Sequence, residues 1–151
     1  MKRVLKIGGL LLGLVVGLVA FSSAQVNTLG KDFYIGFFEN GRTLDSVNTA
    51  PEKALILITA AEKTVGTIQT PRQSISFNLE KGQQFISELD ANSEGLIHPM
   101  SAFVDDRAIR VTSSGLVAVH ALNGRAYSSD GTVVLPVSAL GLDYMVFTHH
   151  E

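Results

Sequence analysis

Cysteine is absent from this chain of 151 residues, and cationic side chains are scarce. The first absence excludes a disulfide framework and a lipid anchor on a cysteine, so apolar burial alone must hold the fold. A domain of this size buries roughly two thirds of its surface on folding, which is enough for that. The second absence bears on partners. Twelve Lys and Arg stand against fourteen Asp and Glu. Three of the basic residues, Lys2, Arg3 and Lys6, lie at the very start, so the chain from Gln25 onward carries nine against fourteen, a net charge of −5 with His neutral. That balance argues against nucleic acid, whose binding needs clustered cations, and against adhesion to anionic lipid. Also missing are a Gly-x-Ser-x-Gly elbow, a Gly-rich phosphate loop, a zinc-helix pattern and an Asn-x-Ser/Thr acceptor.

The long apolar run comes first. "IGGLLLGLVVGLVAF", Ile7 to Phe21, follows the basic residues and precedes Ser22 and Ala24, small residues three and one positions before Gln25. This is the three-part layout of a secretory signal peptide cut after Ala24. The rival reading, a retained membrane helix, needs ~20 apolar residues. The run is shorter than that, and no basic flank follows it. Residues 1–24 are therefore expected to leave, with no membrane insertion afterwards. Residues 25–151 are expected to form one secreted domain, extracellular, on the cell surface or periplasmic.

The remainder reads as β throughout. "FYIGFF" (Phe33–Phe38) is aromatic and β-branched, and "NG" at Asn40–Gly41 marks a turn. "ALILITA" (Ala54–Ala60) suits a strand buried on both faces. In "TVGTIQT" (Thr64–Thr70) Val65 falls out of step with Ile68, which predicts a bulge at Gly66, and Pro71 ends the run. Ile75, Phe77 and Leu79 alternate with polar neighbours, and "EKG" (Glu80–Gly82) predicts a hairpin loop before Phe85. Ile109 and Val111 alternate, "SSG" (Ser113–Gly115) predicts a second turn, and Val117, Val119 and Ala121 alternate again. "GTVVLPV" (Gly131–Val137) and "DYMVF" (Asp143–Phe147) supply two more strands, with a short helical turn near Ser138–Leu140. About nine short strands between Gly, Pro, Asn and Asp loops predict an all-β fold. The expected architecture is an antiparallel β-sandwich, immunoglobulin-like or jelly-roll-like, with a barrel as the alternative.

Few residues invite chemistry. His98 precedes Pro99 in a loop, His120 lies in a strand, and "HHE" (His149–Glu151) ends the chain. Neighbouring residues of a strand face opposite ways, so His149 and His150 would not chelate one metal together, and no metal or cofactor is expected. Asp105, Asp106 and Arg107 read as a solvated turn. "SSD" (Ser128–Asp130) offers hydroxyls beside a carboxylate, but no His is placed by a motif to act as base. Such residues more often set a turn. Tyr34 and Tyr144, inside strands, suit core packing with the phenol at the rim; Arg125 and Tyr127, flanking a loop, suit either packing or recognition.

From Gly115 to Val146 the chain resembles the IgGFc-binding protein N-terminal domain family of secreted β-rich modules. The elements that carry the likeness are "VTSS" (Val111–Ser114), the strand Val117–Asn123, the polar loop Ser128–Asp130 and "LPVSALGLDY" (Leu135–Tyr144). "GKDFYIGFFEN" (Gly30–Asn40) and "LILITA" (Leu55–Ala60) resemble the family's first strands. Family domains continue well beyond the Leu-Gly-x-x-Tyr strand, whereas this chain stops seven residues after Tyr144. The antibody binding in the family's name has no residue-level motif here and is not transferred.

These readings converge on a secreted, non-enzymatic binding or adhesion module of a bacterium. Its expected partner is an extracellular protein or glycan, met by loops at one end of the sandwich. Arg125, Tyr127, Ser128, Ser129 and Asp130 are the expected contact residues. The alternative is a structural subunit that self-associates, or joins further domains of a longer protein, by edge-strand pairing. A secreted hydrolase using Ser and Asp side chains comes third.

Overall fold

A computed structural model describes residues 27–38, 52–98, 103–125 and 128–144. The expected signal peptide, the Asn40–Gly41 turn, Tyr127 and the terminal "HHE" lie outside these residues. Nine strands are present among them: β1 (Leu29–Ile35), β2 (Phe37–Phe38), β3 (Lys53–Ala60), β4 (Thr64–Gln69), β5 (Ser74–Leu79), β6 (Gln84–Asp90), β7 (Ile97–His98), β8 (Ile109–Arg125) and β9 (Ser128–Val134). The fold is all-β.

Strand β8 is the axis. β4 and β3 lie end to end along one of its edges, against Arg110–Ser113 and Val117–Gly124. β1 and β9 lie end to end along the other, against Ile109–Ala118 and Val119–Arg125. β5 and β6 continue the pattern outward, pairing β4 and β3 in turn. All these pairings are antiparallel, so the seven strands make one sheet four ribbons wide. The parallel pair of β2 with β7 then joins the segment after β1 to the segment after β6. That contact links the first ribbon to the last, and the sheet comes close to closing as a barrel.

One face of this sheet forms the core. Ala54, Ile56, Ile58 and Ala60 of β3 alternate with half-buried neighbours, because successive strand residues face opposite ways. Phe33, Ile68, Phe77, Leu89, Val111, Val117 and Val119 meet them from the other strands. β3 is thus buried mainly on one face, although its sequence reads as a continuous apolar run.

Two expected turns are not hairpins. Ser113–Gly115 lies within β8, which runs straight through it. There the neighbouring ribbon breaks between β3 and β4, and side chains replace the missing ladder. Thr64 Oγ1 accepts the Gly115 N–H at 2.9 Å, Glu62 Oε1 accepts that of Leu116 at 2.7 Å, and Ser114 Oγ accepts that of Val65 at 3.1 Å. The chemistry that suggests a turn is spent on satisfying backbone donors across the gap. Glu80–Gly82 does turn sharply, with Gly82 at φ 81°, but β5 and β6 pair with different strands rather than with each other.

Gly66 marks no bulge, since it pairs in register with Phe77 and Ser113. It is glycine because a Cβ there would fall 2.3 Å from the Phe77 ring and 2.3 Å from the Thr112 carbonyl. Strand β9 begins at Ser128, so the expected polar loop Ser128–Asp130 is strand, held by its register against β8. It also ends at Val134, short of the Val137 expected for it. Pro136 follows, fully buried, and fits over Gly30, whose Cβ would lie 2.1 Å from the proline ring. A 3₁₀ turn at Val137–Ala139 completes the corner. Asp143 and Tyr144 are not strand, and Met145–Phe147 lie outside the described residues.

Candidate binding cleft at the end of β8 and β9

The inward face of β8 changes character along its length. Val117, Val119 and Ala121 are buried and apolar, whereas the next inward positions, Asn123 and Arg125, are polar and half-buried. Strand register puts Thr132 opposite Ala121, Asp130 opposite Asn123 and Ser128 opposite Arg125. β2 crosses this end of the sheet. The Asn123 amide ties it down, donating to the Phe38 carbonyl at 2.6 Å and to Glu52 Oε1 at 3.3 Å. Glu52 is itself buried, so this hydrogen bond offsets part of the cost of removing its carboxylate from water.

Between β2 and the β8–β9 pair a cleft of about 240 Å³ remains, with Ile35, Phe37 and Ala121 as its apolar floor and Asn123, Asp130 and Thr132 at its rim. Along its open side, Ser129 to Val133 are exposed, and among the described residues β9 has no strand on its outer edge.

The five expected contact residues divide. Arg125 and Asp130 lie on the cleft face, and Ser128 pairs with Arg125. Ser129 faces the other way, with its hydroxyl over Gly124. Tyr127 lies outside the described residues. Phe37, Phe38, Asn123 and Glu52 were missed. The readable signal was the polar Asn123 at the next inward position of an apolar alternation.

Two other expectations need correction. Tyr34 and Tyr144 are not core residues, being 53% and 66% exposed. Both side chains stand on the surface, Tyr34 because its neighbours Phe33 and Ile35 take the inward positions of β1. Nor is Asp105 a solvated carboxylate. Its side chain is 15% exposed, and its Oδ2 hydrogen-bonds His98 Nδ1 at 2.7 Å and forms an ion pair with Arg107 Nε at 3.2 Å. Burial works to raise the Asp105 pKa, but the Arg107 backbone N–H, His98 and the Arg107 guanidinium outweigh it and hold the group below its ordinary value. An ionised carboxylate must accept, so His98 carries its proton on Nδ1. Arg107 also donates to the Ile97 carbonyl at 3.0 Å, and Phe38 meets the His98 ring edge-on. The cluster clamps β7 and β2 together. Among the described residues the hydrogen-bond partner of His98 is Asp105, with no hydroxyl poised on its ring.

No helix among the described residues is long and apolar enough to cross a membrane. Comparison with protein-family models, with curated proteins and with solved structures finds no match.

Proposed function

We propose that this chain is an exported, non-enzymatic binding module of the IgGFc-binding N-terminal domain type, which holds an extended segment of an extracellular protein against β9. The cleft carries this reading. Its 240 Å³ falls below the ~300–1,000 Å³ usual for small-ligand pockets, and suits one anchoring side chain of a partner. The edge of β9 beside it supplies backbone donors and acceptors in the spacing a strand needs, the arrangement used for strand addition. It is also a lightly guarded edge. β1 carries Lys31 and a register break, and β6 carries Glu88 and Asp90, whereas β9 has one charge, Asp130, and no proline.

Selection of displayed peptides on the secreted chain tests this. The expected peptides carry an aliphatic or aromatic anchor, bind the Ser129→Ala variant unchanged, and lose binding to Arg125→Ala and Thr132→Arg. Equal binding to Thr132→Arg would place recognition elsewhere.

A second reading, self-assembly, draws on another surface. On the outer face, register aligns Ile86, Leu57, His120 and Val133 in one row and Leu55 beside Leu122 in the next. Ile86 is 61% exposed, so this half of the sheet shows an aliphatic stripe to solvent. Sedimentation that shifts with concentration, and ceases to do so in Ile86→Lys, would favour assembly; a monomer at high concentration would sink it.

A further inference from the structure

The outer face of the other half of the sheet has a different chemistry, and we infer that it is a binding site for a neutral oligosaccharide chain. It lies away from the cleft and does not rest on the reading given for it. Register lines up Tyr34, Arg110, Gln69 and Ser74 across four strands. The next row is Asp32, Thr112, Thr67 and Ser76. With strands ~4.8 Å apart, each row spans roughly 14 Å, the length of a short run of sugar rings.

Beside the first row lies an open hollow of about 620 Å³. It exists because the side chains that stand there are short: Thr67, Ser76, Asn78, Thr112 and Ser114, with Val65 as the aliphatic member. A protein partner would want an apolar centre at such a place. The Thr67 and Thr112 hydroxyls bond each other at 3.0 Å and Ser114 Oγ accepts the Val65 N–H, so what the hollow offers a polyhydroxylated ligand is the Ser76 hydroxyl and the Asn78 amide, with the lone pairs those bonds leave over.

The aromatic platform is built at the hollow's side. Tyr34 is exposed, and the Arg110 guanidinium lies over one face of its ring, 5.5 Å from the ring centre, so a sugar would stack on the other face. Arg110 is in turn fixed by two hydrogen bonds of 2.9 Å to the carboxylate of Asp32. The C–H face of a pyranose packs on such a ring while its equatorial hydroxyls reach sideways to neighbours. The Asp32–Arg110 pairing also selects for charge. With the guanidinium neutralised, this row holds no spare cation for a uronate or sulfate, so the ligand class is a neutral sugar chain.

Affinity electrophoresis and calorimetry of the full secreted chain with cellohexaose, xylohexaose, mannohexaose and chitohexaose would test the site. At least one of the four is expected to bind. Tyr34→Ala should weaken it about tenfold or more, and Tyr34→Phe, which keeps the ring, should bind nearly as wild type. Ser76→Arg alters an exposed side chain and fills the hollow, so it should abolish binding even if Tyr34→Ala fails to fold. Thr132→Arg, in the cleft, should leave sugar affinity unchanged. The inference is overturned if none of the four sugars binds, or if Ser76→Arg binds as tightly as wild type.

Discussion

Gly66 shows how far a single position can be read from sequence. A glycine among β-branched residues signals something unusual, and a bulge is the ordinary inference. The actual cause is a neighbour distant in sequence: the Phe77 ring occupies the space a side chain would need, and the Thr112 carbonyl closes the other side. Backbone atoms cannot swing away as a side-chain tip can. Gly66→Ala is therefore expected to destabilise the domain by about 1–3 kcal/mol through overpacking, measured by denaturant unfolding. Gly36, where a Cβ would meet nothing within 4 Å, is the control and should tolerate alanine with little change. Asp105 teaches the same lesson with charge. Two carboxylates and an arginine in a row look solvated, and only the approach of His98 makes one of them a clamp.

At the scale of the element, periodicity placed most strands well. Alternation in β5, β6 and β8 follows which face is buried, since a strand with one face inward must alternate. Boundaries fared worse at Ser113–Gly115, where Ser and Gly serve a gap in the adjacent ribbon rather than a turn. Thr64 makes this testable. It is buried, and its hydroxyl accepts the Gly115 N–H. Thr64→Val keeps the shape and removes the acceptor, leaving a buried donor unpaired. A loss of about 1–3 kcal/mol is expected, together with faster amide exchange at Gly115. Thr64→Ser should retain the bond and recover much of the stability.

For the whole molecule, three carboxylates link stability to acid. Arg110 lowers the Asp32 pKa, first by hydrogen bonding, against some opposing burial. The Ser93 backbone N–H does so for Asp90, and Asp105 is lowered as described. A carboxyl whose folded pKa is depressed contributes its stabilisation above the unfolded value of 3.8 and loses it as pH falls through the folded pKa. Thermal melts should thus hold steady in these contributions above about pH 5 and drop as the pH falls below about 4. In Asp32→Asn the drop should be smaller, with a lower melting temperature at pH 7.

Composition and alternation by themselves determined that this protein is all-β, that it must fold on apolar packing without disulfides, and that its formal net charge is −2. These follow because a strand's own side chains report the face it buries, and because the charge count is independent of folding. Only the tertiary structure decided that the ribbons lie end to end along one continuous β8. It likewise decided that β2 and β7 draw the sheet nearly closed, and that Asp130 lines a cleft, with Arg125 on the same face of the sheet and Ser129 on the other. Those outcomes depend on register, and a shift of one residue turns every side chain to the opposite face. Register is set jointly by strands far apart in the chain, so no local stretch carries it.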